Sequence, residues 1–227
     1  MMQKLKMIAQ IHTDFPEKFG IPRQSGLVKG AKGTIVFEPE YRSAEAFRGL
    51  EGYSHIWVLW EFSEAKRDHW SATVKPPRLG GKKRMGVFAT RSPFRPNPIG
   101  MSVVKLEKIL MDENLGPILQ VSGVDMLDGT PVYDIKPYLP YADSYPEATS
   151  GFAGEVYEHV LEICFPENLL EKVPEALRES LTEILEQDPR TAFIEDESRI
   201  WGVSYAGFNV RFTVVGNRLT VCEVEKL

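Results

Sequence analysis

The chain has 227 residues, of which 43% are hydrophobic and 26% charged, and its formal net charge is −5. A chain of this length and composition can bury a sizeable core and is typical of ordinary globular proteins. It contains no run of about 18 apolar residues and does not begin with the apolar segment of a signal peptide, so we expect a cytoplasmic protein that does not cross a membrane.

Short apolar segments follow one another through the first two thirds of the chain. They are rich in β-branched and aromatic residues and are separated by Gly, Pro, Asn or Asp, which is typical of strands joined by turns. One helix is predicted among them, over residues 43–50, with Ser43 as its N-cap. Regularly spaced short strands favour a β-barrel or a sandwich. The predicted strands span residues 6–11, 33–38, 55–62, 84–90, 102–110 and 118–124.

The pattern changes after Pro166. Apolar residues recur there at intervals of three and four, from Leu170 to Ile184, which predicts an amphipathic helix ending near Asp188 and Pro189. Residues 198–215 and 218–227 then read as strands joined by a hairpin. The polar tract 141–151 separates this part from the strands before it. We therefore expect a mainly β protein with a β-rich domain over 1–145 and a small α+β domain over 146–227.

The common signatures of metal and cofactor sites are missing from the sequence. Two cysteines, Cys164 and Cys222, are too few for a disulfide framework or a zinc cage, and the four histidines lack metal-ligand spacing, so we expect no metal. No Rossmann or P-loop motif occurs. Ser54 and His55 are adjacent, but without a Gly-x-Ser-x-Gly context we favour His55 as an ordinary histidine at the start of a buried strand over a catalytic base.

A basic tract interrupts the acidic chain. Between His69 and Leu106 there is no Asp or Glu but there are eight Lys and Arg residues, so this segment carries +8 and the rest of the chain −13. Such a tract is typical of a site for a polyanion such as nucleic acid. The alternative is a solvated loop with ordinary lysines.

The stretch GVFATRSPFRPNPIG, residues 86–100, places three prolines within six residues and sets Arg91 and Arg95 among them. Proline fixes its own φ, removes an amide donor and restricts the preceding residue. The segment cannot be a helix and is a poor central strand. It predicts a stiff loop that presents two guanidinium groups and loses little entropy on binding.

Four segments of the chain together carry a specific resemblance: IPRQSGLVKGAKG (21–33), FRGLEGYSHIWVLW (47–60), PPRLGGKKRMGVFATRSPFRPNPIGMS (76–102) and MLDGTPVYDIKPYLPYADS (126–144). They resemble the TrmO (TsaA-like) family, whose members methylate N6 of threonylcarbamoyladenosine at position 37 of tRNA, next to the anticodon, with S-adenosylmethionine as donor. The similarity is close from Met7 to about Ser144 and looser over the last 60 or so residues. It implies a single-sheeted β-barrel, a homodimer and the tRNA anticodon loop as partner.

The resemblance also implies which residues bind the methyl donor. Arg91 or Arg23 suits the donor carboxylate, and Asp128 or neighbouring carbonyl groups suit its cationic end. A turn explains Asp128 and Gly129 equally well. The implied donor-binding residues are Pro22, Arg23, Gln24, Ser54, His55, Arg91, Asp125, Met126, Leu127, Asp128, Gly129 and Thr130.

Catalytic and RNA-binding residues follow from the same resemblance. A carbamoyl group on N6 weakens that nitrogen as a nucleophile, so a general base is useful, and the candidates in order are Asp188, Asp128 and His55. Arg95, Arg190 or Lys136 would bind the threonyl carboxylate, while Lys82, Lys83 and Arg84 would bind RNA phosphates. Asp188 and Arg190 are expected to reach the barrel of the partner subunit. The sequence departs from the family at Phe193, where relatives carry tyrosine.

Two other classes of protein fit parts of the sequence. A non-enzymatic RNA-binding barrel would share the basic tract but would not bind S-adenosylmethionine. A methyltransferase acting on a small metabolite would bind the donor, but its tRNA affinity would not depend steeply on salt.

Overall fold

The structure is a computed structural model that describes residues 5–65, 69–76, 79, 83–155, 160–190 and 196–227. The chain forms two compact units, each assembled from three segments. The first comprises Met1–Asp14, Arg23–His69 and Pro96–Ser144, and the second Phe15–Pro22, Trp70–Arg95 and Tyr145–Leu227. The division at residue 145 stays a prediction. Within the described segments, every helix is too short or too polar to cross a membrane.

Strands dominate the secondary structure. They are β1 (Ala9–Thr13), β2 (Lys32–Phe37), β3 (His55–Glu61), β4 (Thr73–Val74), β5 (Met85–Gly86), β6 (Ile99–Asp112), β7 (Gly116–Ser122), β8 (Thr130–Pro137), β9 (Glu162–Cys164), β10 (Trp201–Tyr205), β11 (Phe208–Val215) and β12 (Arg218–Lys226). The helices are α1 (Pro140–Asp143), α2 (Phe152–Glu155), α3 (Glu167–Leu170) and α4 (Glu175–Glu186), with short 3-10 turns between strands.

The first unit contains a closed barrel with strand order β1-β2-β7-β6-β3-β8. Neighbouring strands are antiparallel, and β1 closes the barrel by pairing Ile11 with Thr130 on β8. Alternate residues point inward, as expected for a barrel strand. The core includes Ile35, Ile56 and Leu119, all with 0% exposure. The single-sheeted barrel implied by the family resemblance is therefore confirmed.

Gly100 on β6 allows the Trp60 indole to lie flat against the backbone inside the barrel. A Cβ atom at position 100 would lie 2.2–2.6 Å from three ring atoms of Trp60. The ring is held in place because its Nε1 donates a hydrogen bond to Ser102 Oγ at 3.0 Å. The glycine is therefore required for close approach and not for backbone flexibility.

We expect Gly100→Ala to destabilise the protein by about 1–3 kcal/mol, the usual cost of overpacking a core. Urea unfolding measures this change as a lower midpoint. Gly86→Ala is the matched control, since a Cβ atom at Gly86 meets nothing within 4 Å. Equal midpoints for the two variants would contradict the packing argument.

The second unit is built on a four-stranded sheet with order β10-β11-β12-β9, in which β9 runs parallel to β12. Tyr205 and Phe212 are fully buried in its core, together with Leu181 of α4. Phe15, from the beginning of the chain, belongs to this core: it is 0% exposed and its ring lies 5.2 Å from that of Tyr205. The small α+β part predicted from the sequence is confirmed.

Three local predictions were wrong. The predicted helix at 43–50 is two 3-10 turns, Ala44–Phe47 and Leu50–Gly52, because Gly49 between them adopts φ +86 and interrupts the helix. The predicted strand at 84–90 is only two residues long, since a 3-10 turn begins at Val87. The long helix predicted after Pro166 is divided into α3 and α4, with Pro174 as the N-cap of the second.

Candidate functional site

Two of the predicted donor-binding segments lie near each other on the barrel because of strand register. His55 on β3 is paired with Lys105 on β6, and Lys105 is paired with Ser122, the last residue of β7. Adjacent strands are about 4.8 Å apart, so His55 and Ser122 lie on one row about 10 Å apart. Ser54 precedes this row, and the segment leading to Asp125 follows it.

A third segment joins them through the backbone. The amide of Gly26 donates to the carbonyl of Gly123 at 2.9 Å, which tethers the strand-connecting loop that contains Arg23 and Gln24 beside the end of β7. Both Arg23 and Gln24 are partly buried. Three predicted donor segments of the first unit thus converge at the end of β7.

The turn between β7 and β8 is fixed to the end of β1. Gly129 donates its amide hydrogen to the Ile11 carbonyl at 2.9 Å, and the Thr13 hydroxyl donates to the Met126 carbonyl at 3.0 Å. Within the turn, the Thr130 hydroxyl donates to the Leu127 carbonyl at 2.7 Å. These bonds give the predicted turn 125–130 a defined conformation.

Asp128 lies on this turn with its carboxylate in hydrogen-bonding distance of β1. Oδ1 accepts a hydrogen bond from the Thr13 amide at 3.0 Å and lies 3.2 Å from His12 Nδ1, while the side chain stays 49% exposed. A shallow pocket of about 230 Å³ lies alongside, lined by His12, Thr13, Asp14, Lys32, Gly33 and Thr34. Burial raises the pKa of Asp14, Lys32 opposes this rise and Asp128 adds to it. Neither His12 nor Asp14 was predicted as a site residue from the sequence.

Asp125 is held by a chain of hydrogen bonds that starts in the barrel core. The indole Nε1 of Trp60 donates to Ser102 Oγ, and Ser102 Oγ donates to Asp125 Oδ1 at 2.6 Å. Trp60 and Ser102 are 6% and 2% exposed, respectively, whereas Asp125 is partly accessible. Ser102 therefore links the packing of the core to the position of a predicted donor-binding carboxylate.

We expect Ser102→Ala to cost about 1–3 kcal/mol of stability, because the buried Trp60 Nε1 loses its acceptor. It should also weaken donor binding, because Asp125 loses its fixed position. Isothermal titration and urea unfolding measure the two effects. Ser180→Ala is a matched control: Ser180 is equally buried and accepts a hydrogen bond from Tyr205 in the second unit. If both variants lose stability and keep parental donor affinity, the role of Ser102 is structural only.

Ser54 and His55 stand at the start of β3. Ser54 Oγ lies 2.9 Å from His55 Nδ1, and the His55 ring meets the Tyr138 ring edge-on with centroids 6.3 Å apart. The backbone carbonyls of Ser54 and His55 accept hydrogen bonds from Leu106 and Tyr138. The His55 ring therefore lies beside a hydroxyl group and an aromatic ring. Among the described residues, no carboxylate forms a hydrogen bond or ion pair with this ring.

Asp143 on α1, which was not predicted as a site residue from the sequence, is bonded to β3. Its Oδ2 accepts hydrogen bonds from the Leu139 amide at 2.8 Å and from the Trp57 indole at 3.0 Å. These bonds, the backbone one first, lower the pKa of Asp143. Asp143 therefore fixes α1 to β3 as an ionised carboxylate.

Glu107 on β6 is bonded to β7 next to the row that contains His55, Lys105 and Ser122. Its carboxylate accepts a hydrogen bond from the Ser122 hydroxyl at 2.6 Å and from Lys105 Nζ at 3.0 Å. Both bonds lower the pKa of Glu107, the one from Ser122 more strongly, and nearby Lys32 acts in the same direction. No motif in the sequence marks this network.

In the second unit, the proline-rich loop is cross-linked by its own polar groups. Arg95 Nη1 donates to the Thr90 carbonyl at 2.9 Å, and the Ser92 amide donates to Thr90 Oγ1 at 3.2 Å. The Phe94 amide in turn donates to Ser92 Oγ at 3.2 Å. Arg91 is exposed on this loop. Residues 90–98 are neither helix nor strand, as predicted, whereas Val87–Ala89 form a 3-10 turn and Ile99 begins β6. Arg95 is one of the side chains that brace the loop.

Asp188 and Arg190 form a two-pronged ion pair. Arg190 donates from Nε to Asp188 Oδ1 at 2.8 Å and from Nη2 to Oδ2 at 2.9 Å. The side chains are only 18% (Arg190) and 12% (Asp188) exposed, and the bond to Asp188 raises the pKa of Arg190. Asp188 takes φ +51, a left-handed conformation that Asp tolerates better than most residues. The two predicted catalytic residues, Asp188 and Arg190, are therefore paired with each other.

The predicted RNA-binding residues have differing surroundings. Lys83 is exposed, whereas Arg84 donates from Nε to Thr73 Oγ1 at 2.7 Å and from Nη2 to the Thr73 carbonyl at 3.0 Å. Lys136 lies 2.9 Å from Asp134 Oδ2. Lys82 and Phe193 lie outside the described residues. Within the described ranges, no three His, Cys, Asp or Glu side chains are grouped so that they could hold a metal ion.

Two family models match the chain. Residues 10–144 match the tRNA-methyltransferase O N-terminal domain, and residues 161–227 match the TrmO C-terminal domain. The chain belongs to the TrmO family. The TrmO resemblance seen in the sequence is therefore confirmed over both parts of the chain.

Similar proteins carry names that agree with the TrmO family. The chain is 42% identical to an Escherichia coli "tRNA (adenine(37)-N6)-methyltransferase", over 98% of this chain and 97% of that protein. It is also 42% identical to a Pseudomonas aeruginosa protein named "Putative S-adenosylmethionine-dependent methyltransferase RcsF", over 89% of both chains. A crystal structure of TrmO from Pseudomonas aeruginosa matches with a TM-score of 0.78 and 35% identity, covering 99% of this chain and 100% of that one.

Proposed function

We propose that this protein transfers a methyl group from S-adenosylmethionine to N6 of adenosine 37 in tRNA, and that the adenosine already carries the threonylcarbamoyl group. The observation that carries the activity is the 42% identity, along almost the whole of both chains, to the E. coli tRNA (adenine(37)-N6)-methyltransferase. The match to both TrmO domain models supports the same reaction.

The residues at the end of β7 fit the methyl donor. S-adenosylmethionine supplies a methyl group activated by a sulfonium, and it carries a carboxylate, an ammonium group and ribose hydroxyls. A ligand with these ends needs fixed donors and acceptors. The half-exposed Asp128 carboxylate, the fixed turn 125–130 and the exposed Ser54 hydroxyl supply acceptors, and Arg23 lies on the tethered loop beside them. Arg91 is proposed to bind the donor carboxylate.

Asp128 is the better candidate for the general base. The Arg190 guanidinium donates hydrogen bonds to both carboxylate oxygens of Asp188. These charged bonds stabilise the ionised form of Asp188, so its carboxylate is a weaker proton acceptor. Asp128 is more exposed, and among the described residues its Oδ1 accepts a hydrogen bond from the Thr13 amide and lies close to His12. We therefore assign Asp188 to positioning Arg190, and proton removal from N6 to Asp128.

Arg190 is suited to the threonyl carboxylate of the modified base. A guanidinium has five N–H groups, and the fork to Asp188 uses two of them. The other three face away from Asp188 and suit a second carboxylate. Arg95 and Lys136, the other candidates, already bind the Thr90 carbonyl and Asp134. Recognition by Arg190 would make prior modification of A37 a requirement.

Methylation of purified tRNA tests the proposal. The protein, S-adenosylmethionine and tRNA with or without threonylcarbamoyl on A37 are incubated, and the nucleosides are analysed by mass spectrometry. We expect one added methyl group on threonylcarbamoyladenosine and none on plain adenosine. Binding of tRNA without binding of the donor would favour a non-enzymatic RNA-binding barrel. Donor binding without methylation of either tRNA would favour a small-molecule methyltransferase.

The dimer and the location of the protein belong to the same proposal. The family resemblance supports a homodimer that meets its tRNA in the cytoplasm. Light scattering after size exclusion tests the first part: a mass near twice the 25.7 kDa of the chain is expected. A single-chain mass at micromolar concentration would contradict it.

A further inference from the structure

Two exposed aromatic rings, Trp70 and Phe88, lie together in the second unit. Trp70 is 54% exposed and Phe88 is 74% exposed, yet their ring centroids are 6.2 Å apart with an angle of 31° between the planes. Solvent-exposed aromatic pairs of this kind are unusual on a surface that has no partner. The mechanism proposed for the barrel uses neither ring.

The backbone fixes the position of this pair. Strands β4 and β5 form a two-stranded ribbon, and the Val87 amide extends their pairing by donating to the Ala72 carbonyl at 2.9 Å. Val87 is 1% exposed and anchors the 3-10 turn that carries Phe88. Trp70 and Phe88 therefore flank the same end of the ribbon, one before β4 and the other after β5.

The surroundings of the pair are basic. The chain between residues 69 and 106 contains no acidic residue. Within the described part of this segment, Lys75, Lys83, Arg84 and Arg91 are exposed. Arg84 is held flat along the ribbon by its two bonds to Thr73. Aromatic faces among cations are the combination that proteins use for single-stranded nucleic acid.

We propose that Trp70 and Phe88 form a stacking platform for unpaired bases of the anticodon loop. A base inserted between the rings would need about 3.5 Å on each side, which exceeds the 6.2 Å separation, so bases stack on the outer faces. The stacking platform rests on the proposed function in one respect: the RNA that it binds is the tRNA that the protein methylates. Single-stranded loops are where proteins reach unstacked bases.

Binding of a 17-nucleotide anticodon stem-loop RNA, measured by fluorescence anisotropy without S-adenosylmethionine, tests the platform. We expect Trp70→Ala and Phe88→Ala each to weaken binding about 10-fold, and Trp70→Phe and Phe88→Tyr to restore most of it. The slope of affinity against salt should not change in these variants, whereas Lys83→Ala should reduce it by about 0.7–0.9. Tyr145→Ala, an equally exposed aromatic of the same unit, should bind as the parent does.

A stem-loop with abasic sites in its loop separates stacking from charge. The parent should bind it about 10-fold more weakly than the intact RNA, and the alanine variants should show little further loss. Alanine variants that bind intact RNA within twofold of the parent would overturn the proposal. So would the same loss on intact and abasic RNA, or Trp70-dependent binding to phosphatidylserine vesicles with unchanged RNA affinity. A parent that binds RNA through the platform and transfers no methyl group would contradict the proposed function alone.

Discussion

Arg91→Ala is expected to reduce S-adenosylmethionine binding at least 100-fold, and Arg91→Lys to recover only part of it. A guanidinium matches a carboxylate with two parallel hydrogen bonds, which an ammonium cannot do. The loop that carries Arg91 is braced by three prolines and by the Thr90, Ser92 and Arg95 hydrogen bonds, so its backbone has little entropy left to lose on binding.

Isothermal titration of the donor into each variant measures this effect. Arg211→Ala is the control, because Arg211 is a half-exposed arginine of the same unit that forms an ion pair with Glu223 on the neighbouring strand. It should bind the donor as the parent does. If Arg91→Lys binds S-adenosylmethionine as the parent does, position 91 contributes only a positive charge. Two parallel hydrogen bonds from Arg91 to the donor carboxylate would then be ruled out.

Arg190→Ala is expected to lower methylation more than 100-fold while leaving donor affinity within about twofold. The reason is that the variant loses the proposed contact to the threonyl carboxylate and removes the two Arg190 hydrogen bonds from Asp188, which is 12% exposed. Asp188→Asn should also lower methylation, mainly by raising the KM for tRNA, because Arg190 loses the carboxylate that holds it in position. A change confined to kcat and its pH profile would instead return Asp188 to the role of general base.

A mixing experiment tests whether Arg190 serves the partner's barrel. If the protein is the proposed homodimer, the Arg91→Ala and Arg190→Ala variants are each expected to be nearly inactive. If each site in a C2 dimer takes Arg91 from one subunit and Arg190 from the other, subunit exchange gives hybrids with one intact site. Equal mixing then restores about a quarter of the parental activity. Proven exchange without recovery would place both arginines in the same subunit's site or remove Arg190 from it.

The sequence predicted most barrel strands because their periodicity is local, and the strand it missed shows where that reasoning fails. Strand β8 begins with Thr130 and Pro131 after the turn at Asp128 and Gly129, and it ends with Pro137. Prolines and a turn signal indicate a loop when read alone. The pairing of β8 with both β1 and β3 closes the barrel and overrides that local preference.

The site was predicted unevenly for a similar reason. The family motifs drew attention to Asp125 and Asp128, which lie on the fixed turn. They did not show that Ser102, on another strand, donates a hydrogen bond to Asp125, or that Asp188 and Arg190 form a two-pronged ion pair. Such contacts depend on strand register and on the course of the chain between distant residues, which spacing along the sequence does not contain.

The burial of Phe15 against Tyr205 has a consequence for synthesis on the ribosome. The barrel strands are complete once Pro137 has been added, but β11, which ends at Val215, comes about 80 residues later. At about 5–20 residues per second, that interval lasts about 4–16 s. During it the N-terminal aromatic has no core to enter, although the strand just before it can already pair. The nascent chain therefore passes through a stage in which all barrel strands have been synthesised but the core that buries Phe15 has not.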